Sequence, residues 1–474
     1  MKKLIPLVSV LLLAGCAVGP NFERPELDVL QQDYRVPIEL KQARSLATVE
    51  WFALFNDPYL DQLIQTALGN NLELAGALER VEQARARTAV SRSAFGPQVS
   101  ASMGNTPAPG GDGNDASFTA GIGFNWELDL LGKLRRADEA TRAELLATED
   151  GARAVMSSLV VSVAQSWFSL QELDEEQRIV LRTLRSQEES LALVRSQLAS
   201  GIASRAEEQQ AIAQLASTQA RLPQVKQQIV FAENTLSLLI GQAPQAFADR
   251  PQRRPVELID DRDLALGLPA ELLERRPDVR AAEQRLHAAT ARVGVAVANR
   301  FPVPTIGLSG LFGRYSADLG DLGSGSAINF SGWGPYIDLP ILDWGRAKGN
   351  EDAARAATAE ALTDYRRTVL VALREVSDSV HAFSYSAEVI AAHATYAQAA
   401  DESLALQKSR FVSGVSGYVN VLDAERQLLS AEIGLAQAEL SRVNAYLDLY
   451  RALGGGWSDQ VLQSALTESQ NDKH

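Results

Sequence analysis

Polar and apolar residues alternate strictly from Ser117 to Leu128: Phe118, Ala120, Ile122, Phe124, Trp126 and Leu128 interleave with Ser117, Thr119, Gly121, Gly123, Asn125 and Glu127. Period-two alternation over about eleven residues marks a strand with one apolar and one polar face, and that length is enough to cross a bilayer. Val99, Ala101 and Met103, interleaved with Gln98, Ser100 and Ser102, predict a strand before it, and Ile306, Leu308 and Phe312, among Thr305, Gly307 and Ser309, predict one after it. Ile328 to Leu339 forms a less regular fourth, because Trp333 breaks the phase and Pro335 suits only a strand end or a bulge.

Between these segments the period is helical. Asp57-Pro58 has the form of a helix start, with Asp as N-cap and Pro in the first turn, and Leu60, Leu63, Ile64, Ala67 and Leu68 mark one face of a helix predicted to run on to about Ser93. From Lys133 to about Ala199 there is no proline and a single glycine, Gly151, so one helix can rise about 100 Å. Gly201 ends it, and a return helix reaches Leu239, broken or kinked at Pro223. The second half repeats the hairpin, with Gly345 to Val412 down, Gly414 and Gly417 at the turn, and Tyr418 to Leu453 back. Gly201, Gly414 and Gly417 are expected at positive φ.

The repetition extends to identity. Ser190 to Gly201 (SLALVRSQLASG) and Ser403 to Gly414 (SLALQKSRFVSG) share seven of twelve residues at an offset of 403 − 190 = 213, which also maps Gly132 on Gly345 and Gly241 on Gly454. Upstream, Asn70 to Ala75 maps on Arg275 to Arg280 at an offset of 205. So long a period is a duplicated half-molecule, not a solenoid. The resulting division is a leader (1–15), an N-terminal strap (16–56), a first repeat (57–257), a second repeat (258–457) and a tail (458–474).

The leader changes the picture most. Lys2 and Lys3, the apolar run Leu4 to Leu13 and the small residues before Cys16 form a signal peptide too short to span a membrane. The block Leu13-Ala14-Gly15-Cys16 resembles a lipobox, which makes Cys16, the chain's one cysteine, the expected site of a covalent lipid and excludes disulfides within the chain. Ala17, not Asp, follows it, which by resemblance to the sorting of bacterial lipoproteins favours the outer membrane. No later stretch reaches the apolar length of a membrane helix, so any crossing is made by strands. A net charge of −14 disfavours a nucleic-acid partner. The four histidines, His287, His381, His393 and His474, form no metal-ligand or nucleophile pattern, and no phosphate-binding Gly-Lys-Ser/Thr loop occurs, so neither an enzyme nor a cofactor is expected. Gly110 to Asp115 matches a calcium-repeat pattern once, without neighbouring copies, and reads as an extracellular loop.

Edge groups of a sheet in a bilayer find no water, so the sheet must close, and closure takes about eight strands or more. Four per chain therefore imply several copies around one hole. The segments CAVGPNFERP, Trp51 to Ile64, Trp126 to Lys133 and Tyr450 to Trp457 resemble the outer membrane factor (TolC-like) family, and most closely its lipoprotein branch, the channels of resistance-nodulation-division (RND) efflux systems. The resemblance implies a mixed α and β membrane protein: a homotrimer with a twelve-stranded barrel, four strands per chain, continued by a long periplasmic α-helical barrel. It also implies a periplasmic adaptor and an inner-membrane RND pump as partners, and a gate at the helix tips. Relatives carry acidic residues where Asn420 and Asp423 stand, so Asp423 would give a ring of carboxylates while Asn420 departs from the pattern. Gly201, Gly414 and Gly417 would form the tips that dock the adaptor. Glu207 and Glu208 read as ordinary first-turn acids. Two rival functions are the duct of a type I secretion system and a lipid-tethered periplasmic scaffold without a pore.

Overall fold

The computed structural model describes residues 17–27, 55–107, 116–251, 272–300, 305–339, 341–459, 462–463 and 466–467. Cys16, most of the strap, the loop Gly110 to Asp115, the 257/258 boundary and most of the tail lie outside them. The elements run α1 (Pro58–Asn70), α2 (Leu72–Ser93), β1 (Gln98–Pro107), β2 (Ala116–Glu127), α3 (Lys133–Ala199), α4 (Arg205–Leu239), a short α5 (Leu272–Arg275), α6 (Pro277–Arg300), β3 (Thr305–Ser316), a 3-10 turn (Leu319–Gly323), β4 (Ile328–Asp338), α7 (Arg346–Val412) and α8 (Tyr418–Ala452). The chain divides into two compact units, one of Met1–Glu26, Glu79–Asp150 and Arg280–Arg367, the other of Leu27–Leu78, Gly151–Val279 and Thr368–His474.

In the first unit the four strands form one antiparallel sheet in the order β1-β2-β3-β4. Registers such as Val99 with Phe124, Ile122 with Phe312 and Ile306 with Ile337 put Val99, Met103, Ile122, Phe124, Trp126, Ile306, Leu308, Phe312, Trp333 and Ile337 on one face. Trp333 is therefore in phase with the apolar face, contrary to the sequence reading; Ile328 and Phe330 are the residues out of phase, because cross-strand register and not the local run decides the face. The other face is rich in glycine and serine. Gly307 makes room there for Tyr336, whose ring carbon would lie 2.4 Å from a Cβ at that position. Tyr336 thus lies on the face of the sheet opposite to that of Trp126 and Trp333. Trp126 donates its indole N–H to the Phe95 carbonyl at 2.9 Å. Pro335 sits inside β4, which is an edge strand of the sheet within the single chain.

Strap residues 17–27 form neither helix nor strand, and Val18 to Arg24 lie along the start of α3 and along α6. Val18 N–H donates to Leu131 at 3.0 Å, Asn21 accepts from Arg136 at 2.6 Å, Arg24 pairs with Glu283 at 2.9 Å, and Phe22 stacks on His287 at 4.5 Å.

The four long hairpin helices repeat without deviation. α3 and α7 each have 67 residues, α4 and α8 each 35, and all four boundaries are displaced by 213. The return-helix glycines also have equivalent neighbours: Gly241 (φ +71°) lies against Asn70, and Gly454 (φ +88°) against Arg275. A side chain at Gly241 would meet the Asn70 carbonyl oxygen at 2.1 Å, so no other residue fits. The helix expected from Asp57 to Ser93 is two helices. Asn71 (ψ 124°) ends α1 and caps α2, accepting from Glu73 and Leu74 N–H at 3.0 and 2.9 Å while its own amide donates to the Leu239 carbonyl. Pro223 does not break the return helix, since α4 is continuous through it.

The second unit has an aromatic centre. Trp167, fully buried, donates to Asp57 at 2.9 Å, and the same carboxylate caps α1 as the sequence predicts. Phe55, Phe168, Phe383 and Tyr446 pack in ring contacts, and buried Arg276 is held by Asp278, Glu375 and the Ala452 carbonyl. Among the described residues no helix is long and apolar enough to cross a membrane.

Candidate functional site

The two hairpin turns are built alike. Gly201 (φ +74°) donates to Leu198 and Ile202 donates to Gln197; Gly414 (φ +70°) donates to Phe411 and Val415 donates to Arg410. Each is a helix end closed by a left-handed glycine, with the two reversed hydrogen bonds of that motif. Gly417 differs from the expectation: its φ is −74°, and it is the N-cap of α8, a position where glycine brings no side chain to satisfy the first N–H groups.

The repeat shows what replaces that cap. Displaced by 213, Ser204 falls on Gly417 and Glu207 on Asn420. In the first hairpin Ser204 and Glu207 form a reciprocal capping box, Ser204 N–H donating to Glu207 at 2.7 Å and Glu207 N–H to the Ser204 hydroxyl at 3.3 Å. The second hairpin has lost both side chains. Instead, the other oxygen of Glu207 accepts from Tyr418 N–H at 3.2 Å, so one carboxylate caps two helices and ties the hairpins together. These bonds, that from Ser204 N–H foremost, hold the Glu207 carboxyl below its ordinary range. The sequence reading of Glu207 as an ordinary first-turn acid missed this role; the missing cap at Gly417 was the available signal.

Asn420 and Asp423 lie exposed in the first turns of α8. Asp423 has Arg426 Nη1 at 3.9 Å, and Arg426 Nε donates to Gln214 of α4 at 2.7 Å. A carboxylate beside a guanidinium has a weaker field than the bare one expected, although a pair this exposed adds little to stability.

Behind this surface Leu191 and Val194 of α3, Ala211 of α4, Leu404 and Phe411 of α7, and Tyr418, Val421 and Leu422 of α8 form the apolar core of the tip. Glu425 is buried in it with 2 % of its surface exposed. One oxygen accepts from Ser190 at 2.9 Å with Lys408 Nζ at 3.6 Å, while Oε2, and both polar side-chain atoms of Gln187 three residues before Ser190, have no partner. Burial raises the Glu425 pKa, opposed by Ser190 and Lys408, and burial likewise raises that of Tyr418. Glu425 continues the stripe of Tyr418, Val421 and Leu422 at helical spacing, which makes its burial legible in the sequence. The described residues contain no cluster that could hold a metal ion.

The family model for outer membrane efflux proteins matches residues 63–242 and 268–455. Outer membrane protein OprJ of Pseudomonas aeruginosa is 34% identical over 464 residues, covering 96% of this chain and 95% of its own. The protein named "Probable outer membrane lipoprotein SilC", of Salmonella typhimurium, is 33% identical over 96% of this chain and 99% of its own. Among solved structures, the open state of the MtrE outer membrane channel of Neisseria gonorrhoeae superposes with a TM-score of 0.81 at 30% identity, over 93% of this chain and 98% of that one. With helical hairpins in duplicate and a four-stranded sheet apolar on one face, the chain belongs to the outer membrane efflux protein family and is an outer-membrane efflux channel protein.

Proposed function

We propose that three copies of the chain close a twelve-stranded barrel, continued by a periplasmic α-barrel, and that this trimer is the passive exit duct of a tripartite RND-type system, receiving small toxic solutes or drugs from an inner-membrane pump through a periplasmic adaptor. The observation that carries the reading is the sheet: four strands, one face apolar, the other rich in glycine and serine, and β1 and β4 each with an open edge. Such edges cannot remain unpaired in a bilayer, and the small polar residues make a wall that water can wet. The chain supplies no nucleotide-binding loop, so the driving force comes from the pump.

In this reading Cys16 carries the lipid that anchors the strap to the outer membrane. The turns at Gly201 and Gly414, with Gly417, present the tips to the adaptor, flanked by exposed Ile202, Val412 and Val415. Asp423 and Asn420 line the narrow end, where three Asp423 carboxylates, each moderated by Arg426, give a mild cation preference. The clamp from Glu207 to Tyr418 holds the narrow end together.

Single cysteines along β2, in cells, test the barrel. Substitutions at Phe118, Ile122 and Phe124 should stay unlabelled by a membrane-impermeant maleimide, while those at Gly123 and Asn125 label through the lumen. Uniform labelling of both sets would fit a tethered scaffold without a pore and would remove the channel reading.

A further inference from the structure

The internal repeat supplies a rule for the two open edges of the sheet. Gln98 faces Asn125 in the first hairpin, and Thr305 faces Asp338 in the second. β3 is therefore β1 displaced by 305 − 98 = 207 residues, and β4 is β2 displaced by 338 − 125 = 213, the displacement that also relates α3 to α7. One pairing has no repeat within the chain, that of β2 with β3, in which Asn125 faces Ser309 and Gly123 faces Leu311. Its repeat would join β4 to β1, the two outer strands of the same sheet. Four strands are too few to bring those edges together, so the β1 that meets β4 belongs to another copy.

We infer that β4 of one copy pairs antiparallel with β1 of the next in the register that sets Asp338 opposite Ser102 and Tyr336 opposite Gly104, with Ile341 N–H donating to the Val99 carbonyl. Each pair follows from adding 213 to the β2 residue and subtracting 207 from the β3 residue. The last is the image of the bond from Leu128 N–H to Ile306 that seals the first strand-to-helix corner at 2.9 Å. The inference rests on the assembly proposed above and goes further, naming which residues of the second copy complete the wall.

Side chains that played no part in deriving the register agree with it. Ile341, Leu339 and Ile337 fall opposite Val99, Ala101 and Met103 on the apolar face. In the single chain Ile341, Ile337, Val99 and Met103 are 92, 67, 69 and 64% exposed, whereas Leu128, the counterpart of Ile341, is 37% exposed. A slip of one residue would set the three apolar residues of β4 against Gln98, Ser100 and Ser102. A slip of two would keep the faces and change the partners, so cross-linking must decide between them.

Because the pair Leu128 and Ile306 is hydrogen-bonded, Asn125 with Ser309 and Gly123 with Leu311 are the alternating pairs whose side chains lie closest. Their images suit disulfides: directly opposite Cβ atoms lie about 5 Å apart, diagonal ones about 7–8 Å, and a disulfide needs roughly 4 Å. Full-length chains carrying Ser102→Cys with Asp338→Cys, or Gly104→Cys with Tyr336→Cys, are oxidised in outer membranes beside the slipped combinations Ser102→Cys with Tyr336→Cys and Gly104→Cys with Asp338→Cys. The two in-register combinations should form covalent oligomers about tenfold faster than the slipped ones. Faster linkage of either slipped combination would overturn the register. So would the absence of any covalent product from a protein that sizes as several copies in mild detergent. An unmodified chain that sizes as one copy would instead overturn the assembly itself.

Discussion

Replacing Glu207 by Ala should loosen the tip in a measurable and pH-dependent way. The substitution removes the acceptor for Ser204 N–H at 2.7 Å, half of the capping box of α4, and the acceptor for Tyr418 N–H at 3.2 Å, the one side chain among the described residues that caps α8. Loss of a cap costs about 1 kcal/mol. A bond to a charged acceptor contributes roughly 1.5–3 kcal/mol, and because Glu207 is partly exposed the lower end applies. If about 1 kcal/mol per copy is withdrawn from the closed arrangement and three copies open together, the ratio of open to closed channels rises on the order of a hundredfold. Planar-bilayer recording reads the open fraction, and hydrogen exchange at the Tyr418 amide reads the bond itself. The Glu207 carboxyl is held below its ordinary range, so its contribution is present above the unfolded carboxylate pKa of about 4.3 and is lost as the pH falls through the folded value. Wild type and variant should therefore differ at pH 7 and converge in acid. Unchanged Tyr418 exchange and an open fraction within about twofold of wild type at pH 7 would refute the clamp.

Other perturbations separate the remaining features of the tip. Asp423→Ala should lower cation preference modestly and Arg426→Ala should raise it, read as reversal potentials across a salt gradient; equal shifts in the same direction would show that the pair does not face the ion path. Glu425 has a pKa raised by burial, so its contribution to stability is complete below the unfolded carboxylate range and is lost as the pH rises through the folded value. Glu425→Gln, which stays neutral, should therefore melt above wild type at pH 8, with the difference vanishing below about pH 4. Gly414→Ala places a side chain at φ +70° and should cost about 1–2 kcal/mol in urea unfolding, whereas Gly417→Ala, at φ −74°, should cost less than about 0.5 kcal/mol.

Much of the fold is legible because the signals are local and long. Period-two alternation identifies β2, and the absence of proline over Lys133 to Ala199 identifies a 67-residue helix that begins and ends where expected. The misreadings lie where a distant partner decides. The apolar stripe of Leu60 to Leu68 carries past Asn71 without a break, and what ends α1 there is a side chain bonded to Leu239. Trp333 looks out of phase in its own strand and falls into phase only through β3. Pro223 costs α4 one hydrogen bond but does not interrupt it. At the tip, the left-handed glycines follow from sequence, and the interest of Asp423 and Asn420 comes from resemblance. The bond from Glu207 to Tyr418 joins residues 211 apart; the sequence marks only the place it fills, the N-cap glycine Gly417, and not the residue that fills it.

The claim beneath all of this is that the sheet of each chain is one part of a water-filled wall. Single-channel recording of the purified, lipidated protein in planar bilayers tests it most directly, with Glu207→Ala recorded alongside to favour the open state. Discrete conductance steps, larger or more frequent in the variant, are predicted. Bilayers that stay electrically silent with both proteins, at protein levels shown to have inserted, would contradict it.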